Sequence, residues 1–259
     1  MPQSVFYKIF KLINVTKMMG KIASMCVMTI CIFSLVNASI LEKPQWKKGD
    51  YWQYAMKTLG GEKEEILSIT ILGRENITVG NITYRCIVVK SSGVKEEVYY
   101  YDEKNLTIIK KILYNDEGNK EIIYESPQPS LIQYPIFVGK KWNITIDYEN
   151  NSVTLFMECI GIEKISTRVG TFNCYTIRAD YIFNETSSSP YVYQIIYVSS
   201  SVGNVVKTEM YGNNTLVSYT ELISFHYSGY VEEQNYTIVL VIAIAFIFIL
   251  TLVLYKIKK

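Results

Sequence analysis

Trp142-Asn143-Ile144-Thr145-Ile146-Asp147 alternates one apolar side chain with one polar side chain. A period of two places the apolar set on one face of an extended chain and the polar set on the other, the pattern of a half-buried β-strand. The same alternation turns Asn143, the first residue of an Asn-Ile-Thr sequon, toward water. No segment between residues 41 and 236 holds a 3.6-residue apolar period over ten residues. Twenty-two Tyr, with abundant Ile, Val and Thr, supply side chains that suit a pleated surface. Gly60-Gly61, Asn115-Asp116-Glu117-Gly118 and Gly212-Asn213-Asn214 supply turns between the strands. The expected fold class is therefore all-β. Strands are expected near 50–58, 64–73, 82–90, 95–101, 106–114 and 120–125, then near 141–149, 152–163, 171–183, 191–199, 203–211 and 215–226.

These two sets of six are related. Pro44-Gln-Trp46-Lys-Lys-Gly49-Asp-Tyr-Trp52 parallels Pro135-Ile-Phe137-Val-Gly139-Lys-Lys-Trp142, and Val79-Gly80-Asn-Ile-Thr-Tyr84-Arg-Cys86 parallels Val169-Gly170-Thr-Phe172-Asn-Cys174. Tyr101–Lys110 parallels Tyr197–Lys207, one residue longer. Three matches in one order point to an internal duplication. Repeat 1 is placed at 41–125, a Pro-containing linker at 126–135 and repeat 2 at 136–227. Each repeat alone is small for independent stability, so one curved antiparallel sheet, or half-barrel, is preferred to two packed β-sandwiches.

The two ends read differently. Residues 22–36 are an uncharged run of 15 behind Lys8, Lys11, Lys17 and Lys21, followed by Val36-Asn37-Ala38. That order describes a secretory signal peptide over 1–38, with Met18 or Met19 as alternative starts. Residues 238–255 are 18 uncharged residues, ~27 Å long as a helix. Lys256, Lys258 and Lys259 follow, which keeps the tail 256–259 in the cytoplasm. The expectation is a single-pass type I membrane protein with an N-terminal signal helix, an extracellular ectodomain, a stalk at 228–237 and a C-terminal transmembrane helix.

Residues 42–233 hold all 24 acidic residues and 19 of the 26 Lys+Arg, so their net charge is 19 − 24 = −5. Without a clustered basic face, no nucleic-acid partner is expected. Ten of the 16 asparagines begin Asn-x-Ser/Thr. Setting aside those in or beside the two apolar ends, Asn76, Asn81, Asn105, Asn143, Asn150, Asn184 and Asn213 are the expected N-glycosylation sites. Cys86, Cys159 and Cys174 remain outside the membrane, where one disulfide among the three is expected in an oxidising compartment, with the pairing open.

Nothing in the chain reads as catalytic. It has no Gly-rich phosphate loop, nucleophile elbow or HExxH. Glu64-Glu65, Glu96-Glu97 and Asp102-Glu103 are sequence neighbours, which on a strand face opposite ways. His226, the one histidine, lies where the last strand meets the stalk. No enzyme, cofactor or metal site is expected. Trp46, Trp52 and Trp142 could line a pocket, but their matched places in the repeats favour core anchors.

The run Glu163-Lys-Ile165-Ser-Thr-Arg-Val-Gly170-Thr-Phe172-Asn-Cys174, followed by Tyr197-Val-Ser-Ser-Ser-Val-Gly203-Asn-Val-Val-Lys207-Thr-Glu209, resembles a prokaryotic cell-envelope family of unknown function. Its hairpins run V-x-x-G-x-F, then Y-x-x-x-V-G-x-V-x-K. The resemblance covers 153–211, with an echo in 64–114, and implies an incomplete β-barrel like that of the Lol-type lipoprotein carriers. It carries no catalytic residue. High Ile and Lys with four Arg fit an archaeal surface protein. The functional expectation is a non-enzymatic, membrane-anchored, glycosylated cell-surface protein with a structural, coat or adhesion role. The alternative is an envelope module that binds a lipid or other hydrophobic ligand, or an envelope protein partner.

Overall fold

The computed structural model describes residues 40–61, 63–93, 95–115, 118–148, 151–183 and 191–229. The expected signal peptide, the transmembrane helix, the tail, Asn150 and Asn184 lie outside the described residues. The chain forms β1 (Tyr51–Thr58), β2 (Glu65–Val79), β3 (Ile82–Ser92), β4 (Glu96–Asp102), β5 (Ile108–Asn115) and β6 (Gly118–Gln128). It continues with β7 (Lys141–Tyr148), β8 (Asn151–Thr167), β9 (Gly170–Phe183), β10 (Val192–Ser199), β11 (Asn204–Gly212) and β12 (Thr215–His226). All twelve form one antiparallel sheet in the order β6-β5-β4-β3-β2-β1-β12-β11-β10-β9-β8-β7. Two six-strand meanders are therefore fused through the β1–β12 pair, and the sheet stays unclosed, with β6 and β7 as its edges. Separate sandwiches are ruled out by that shared pair, in which Tyr54 lies opposite Leu222 and Met56 opposite Thr220.

Local structure recurs between the meanders. Gly49 and Gly139, just before β1 and β7, have φ of +94° and +89°, a left-handed backbone that favours glycine. Gly49 N–H donates to Ile71 O and Ile71 N–H to Asp50 O, while Gly139 N–H donates to Cys159 O and Cys159 N–H to Lys140 O. The register then slips between Ile71 and Gly73 in β2 and between Cys159 and Gly161 in β8. Tyr100 pairs with Lys110 and Tyr197 with Lys207, each beside a bulge. The equivalence is thus Tyr100 with Tyr197, one residue from the match read in the sequence, and the two hairpins are equal in length.

One face of the sheet is covered by its own chain. Because β6 and β7 are opposite edges, residues 129–140 must cross from one to the other. In crossing, Ile132, Tyr134 and Ile136 pack on Ile144, Leu155, Met157, Ile177 and Ile196. Leu41 joins them from the N-terminal arm through a two-bond bridge to Ile136. Beside this cluster, Trp52, Tyr54, Ile71, Val89 and Leu222 meet Leu106 from the β4–β5 turn and Val202 from the β10–β11 turn. Turns from both meanders, the linker and the N-terminal arm all pack on this face, which is here called the inner face.

The outer face is partly covered as well. β2 and β8 are longer than their sequence pattern implied, because beyond each bulge the hairpin bends back over its own meander. In the first half, Ile77, Val79 and Tyr84 pack on Val98, Tyr100 and Ile109. In the second, Ile165 and Phe172 join the cluster that holds Cys174, Ile195 and Tyr197, the last two alternating along β10 with inner-face Ile196. Arg168, at the β8–β9 tip, bonds Glu64 at 2.6 Å, and its backbone N–H donates to Glu221.

Candidate functional site

On the inner face the linker, the N-terminal arm and two turns pack over the apolar clusters around Ile177 and Trp52. Trp52 is fully buried and its Nε1–H donates to Val202 O at 2.8 Å. Trp46 Nε1–H donates to Gly203 O at 2.8 Å and Trp142 Nε1–H to Leu131 O at 3.2 Å. Each indole N–H is thus committed to a loop carbonyl, and the three tryptophans anchor loops and linker to the sheet rather than line a pocket. Tyr54, whose hydroxyl bonds Val205 O at 2.9 Å, is held neutral by burial, which pushes its ionisation far above the ordinary tyrosine range.

The rest of the inner face is half-buried and mostly polar. Directly paired residues share a face, so the row from Ile196 continues through Thr208 and Thr220 to Met56 and Glu65. The next row runs from Gln194 through Met210 and Ser218 to Thr58. Thr208 and Thr220 in the first row, and Gln194, Ser218 and Thr58 in the second, carry hydroxyls or an amide, with Met56 and Met210 as apolar members. A separate cleft of about 490 Å³ lies between the N-terminal arm, the β4–β5 turn and the linker, with Lys43, Asn105, Gln133 and Tyr134 in its walls. Lys43 Nζ is already engaged there, donating to the carbonyls of Glu103 and Lys104.

In each adjacent carboxylate pair at least one member is ion-paired. Glu64 pairs with Arg168, Glu96 with Lys90 at 2.8 Å and Glu97 with Lys111 at 3.1 Å. Glu103 sits between Arg74 at 2.6 Å and Arg85 at 3.0 Å, and the hydrogen bond from Arg74 holds its carboxyl below the usual range. His226 is exposed at the end of β12 and stacks on Tyr51. Among the described residues no cluster of His, Cys, Asp and Glu could hold a metal ion.

Two arrangements escaped the sequence reading. Asp50 is 1% exposed and accepts bonds from Lys47 N–H at 2.8 Å and from Ser228 N–H and Oγ–H at 2.9 and 2.7 Å. It ties the start of β1 to the chain just after β12. An Asp after a turn glycine is a local hint of the first bond, but nothing local announces Ser228. On the outer face, Arg178 bonds Asp180 at 3.0 Å, Tyr191 Oη–H donates to Asp180 at 2.7 Å, and the guanidinium lies 4.2 Å from the Tyr193 ring centre.

The three cysteines are free and fully buried, and each belongs to a different cluster, Cys159 with the linker, Cys174 around Trp52 and Cys86 on the outer face of the first meander. Lying in three separate clusters, the three are unpaired in this structure, and none of the possible pairings is brought together. Burial first, then Asp102 and Glu75, raises the Cys86 thiol to about 11, and burial with Glu163 raises Cys174 to about 12. The thiolate is the reactive form. The intact chain should therefore resist alkylation at pH 8 and take up three labels at these positions on unfolding, as read by mass spectrometry. Rapid labelling of the native chain would contradict the buried placement.

Asn76, Asn81, Asn105, Asn143 and Asn213 are all exposed and are spread over both meanders. Asn76 lies on β2 and Asn143 on the edge strand β7; the other three sit in turns.

Residues 141–222 match the family model described as DUF3108-like, a span that contains the hairpins at 153–211. Two solved structures align with the chain. One is a protein designated a lipoprotein from Parabacteroides distasonis, 19% identical, with a TM-score of 0.40 over 72% of this chain and 99% of that one. The other, designated an exported protein with a YmcC-like fold, is from Bacteroides fragilis, 13% identical, with a TM-score of 0.40 and the same coverage of each chain. No curated protein matches the chain.

Proposed function

We propose that this chain is a non-enzymatic protein of a prokaryotic, archaeal-type cell envelope: exported by its leader, held by a single C-terminal span, and glycosylated, with a structural coat or adhesive role. The observation that carries this reading is the occupation of the inner face. Leu41, Tyr134 and Ile136 cover its main apolar cluster, and the uncovered part presents Thr208, Ser218, Thr220 and Gln194 with only Met56 and Met210 between them. The exposure of the five described sequon asparagines, in a chain with charged ends of the right order, supports display outside the cell. The alternative, a Lol-like carrier of a lipid, has less support, since a lipid tail would need the apolar area that the linker takes.

Protease added to intact cells should remove the ectodomain and leave a membrane-bound C-terminal fragment. A protected ectodomain would overturn the topology. Native mass spectrometry of the detergent-extracted, deglycosylated chain should give the bare protein mass. A stoichiometric extra mass of several hundred daltons, released on denaturation, would instead favour the ligand-binding alternative.

A further inference from the structure

Among the described sequon asparagines, Asn143 alone has an aromatic ring directly across a strand pair. Asn143 on β7 lies opposite Phe156 on β8, a spacing that brings Cβ atoms to ~5 Å. Both residues point to the outer face, away from Ile144 and Leu155, which are buried beneath the linker. Phe156 is 49% exposed, a large ring left in water on a strand next to the sheet edge. By contrast Asn76 faces Arg85, and Asn105 is held in its turn by Thr107.

The neighbours of the ring are polar except Ile182, which lies diagonally across on β9. The Lys141–Glu158 pair, at 3.2 Å, lies on one side along the strands, and the Thr145–Thr154 hydroxyl pair, also at 3.2 Å, on the other. Asp180 is opposite Phe156 on β9 and is fixed by Arg178 and Tyr191. An apolar floor ringed by hydrogen-bonding groups is complementary to a pyranose, which has a C–H face and a hydroxyl rim. Because β7 is the edge strand, nothing in the sheet lies beyond Asn143 to obstruct a sugar.

We propose that the first sugar of an N-linked glycan on Asn143 docks its C–H face on the Phe156 ring, so that the glycan completes this part of the outer surface. The inference rests on glycosylation of Asn143 and adds a defined contact to it. The contact removes apolar ring surface from water in the glycosylated form only, so it couples the two residues through the sugar.

The test uses the full-length chain purified from its own envelope, with glycopeptide mass spectrometry at Asn143 and thermal unfolding of four forms: wild type, Asn143→Gln, Phe156→Thr and the double variant. Phe156 is too exposed for its replacement to threaten folding, and Phe156→Tyr, which keeps the ring, should preserve the coupling. Loss of the glycan is expected to lower Tm by ~2–4 °C when Phe156 is present and by less than about 1 °C in the Phe156→Thr background. Equal shifts in both backgrounds at an occupied site would overturn the docking and leave glycosylation standing. An unoccupied Asn143 would overturn both.

Discussion

Trp52→Ala is expected to destabilise the protein by about 3–5 kcal/mol, the range for deleting a large buried aromatic. Trp52 is fully buried beside the seam between the meanders, where β1 pairs with both β12 and β2. Its ring lies 5.9 Å from that of Trp46 and 6.2 Å from that of Tyr227, and its Nε1–H holds the β10–β11 turn at Val202. The truncation thus creates a cavity and leaves a loop carbonyl unpaired. Trp52→Phe keeps most of the packing and loses the bond, at about 1–2 kcal/mol. Thermal and denaturant unfolding of the intact chain would measure both. A loss below about 1 kcal/mol for Trp52→Ala would mean that the two meanders are not held together as described.

Ile136→Ala is expected to cost about 2–5 kcal/mol, as for other fully buried aliphatic truncations. Ile136 is completely buried although it belongs to a connection between strands. Its backbone bonds to Leu41, 2.9 Å from its N–H and 2.7 Å to its O, survive the change, so the loss is one of packing against the inner face. Val138, two residues on, is 52% exposed, and Val138→Ala should stay within about 0.5 kcal/mol. Proteolysis would add a second readout: cleavage within 129–140 should accelerate in the Ile136 variant and not in the Val138 one. Equal stability of the two variants would show that the linker does not seal the inner face.

Much of the strand inventory was legible because its signals are local. Alternation such as Trp142 to Asp147 needs only neighbours to be read, and the turn glycines announce their own backbone. The strand limits follow the pattern closely except at β2 and β8. There the chain stays extended past a bulge, a step that depends on what the hairpin folds against. The Tyr100–Tyr197 equivalence was displaced by one residue for the same reason, since a bulge changes register without leaving a mark in composition. Cysteine pairing is a question of another kind. Count and compartment say that a disulfide is permitted, whereas proximity is a property of the tertiary fold, and it places Cys86, Cys159 and Cys174 in three clusters.

What the sequence determined by itself was the class of chain: alternating strands and two related halves, with a leader and an anchor as expectations. Those are statements about neighbours and averages along the chain. The tertiary structure decided how the halves join, through β1 and β12, and therefore which strands became edges. Once β6 and β7 lay at opposite ends, the linker had to cross the inner face, and burial of Ile132, Tyr134 and Ile136 made that crossing favourable. The apolar surface that the local pattern left open to a ligand was consumed by the chain itself, because only the long-range pairing brings that surface and that linker together.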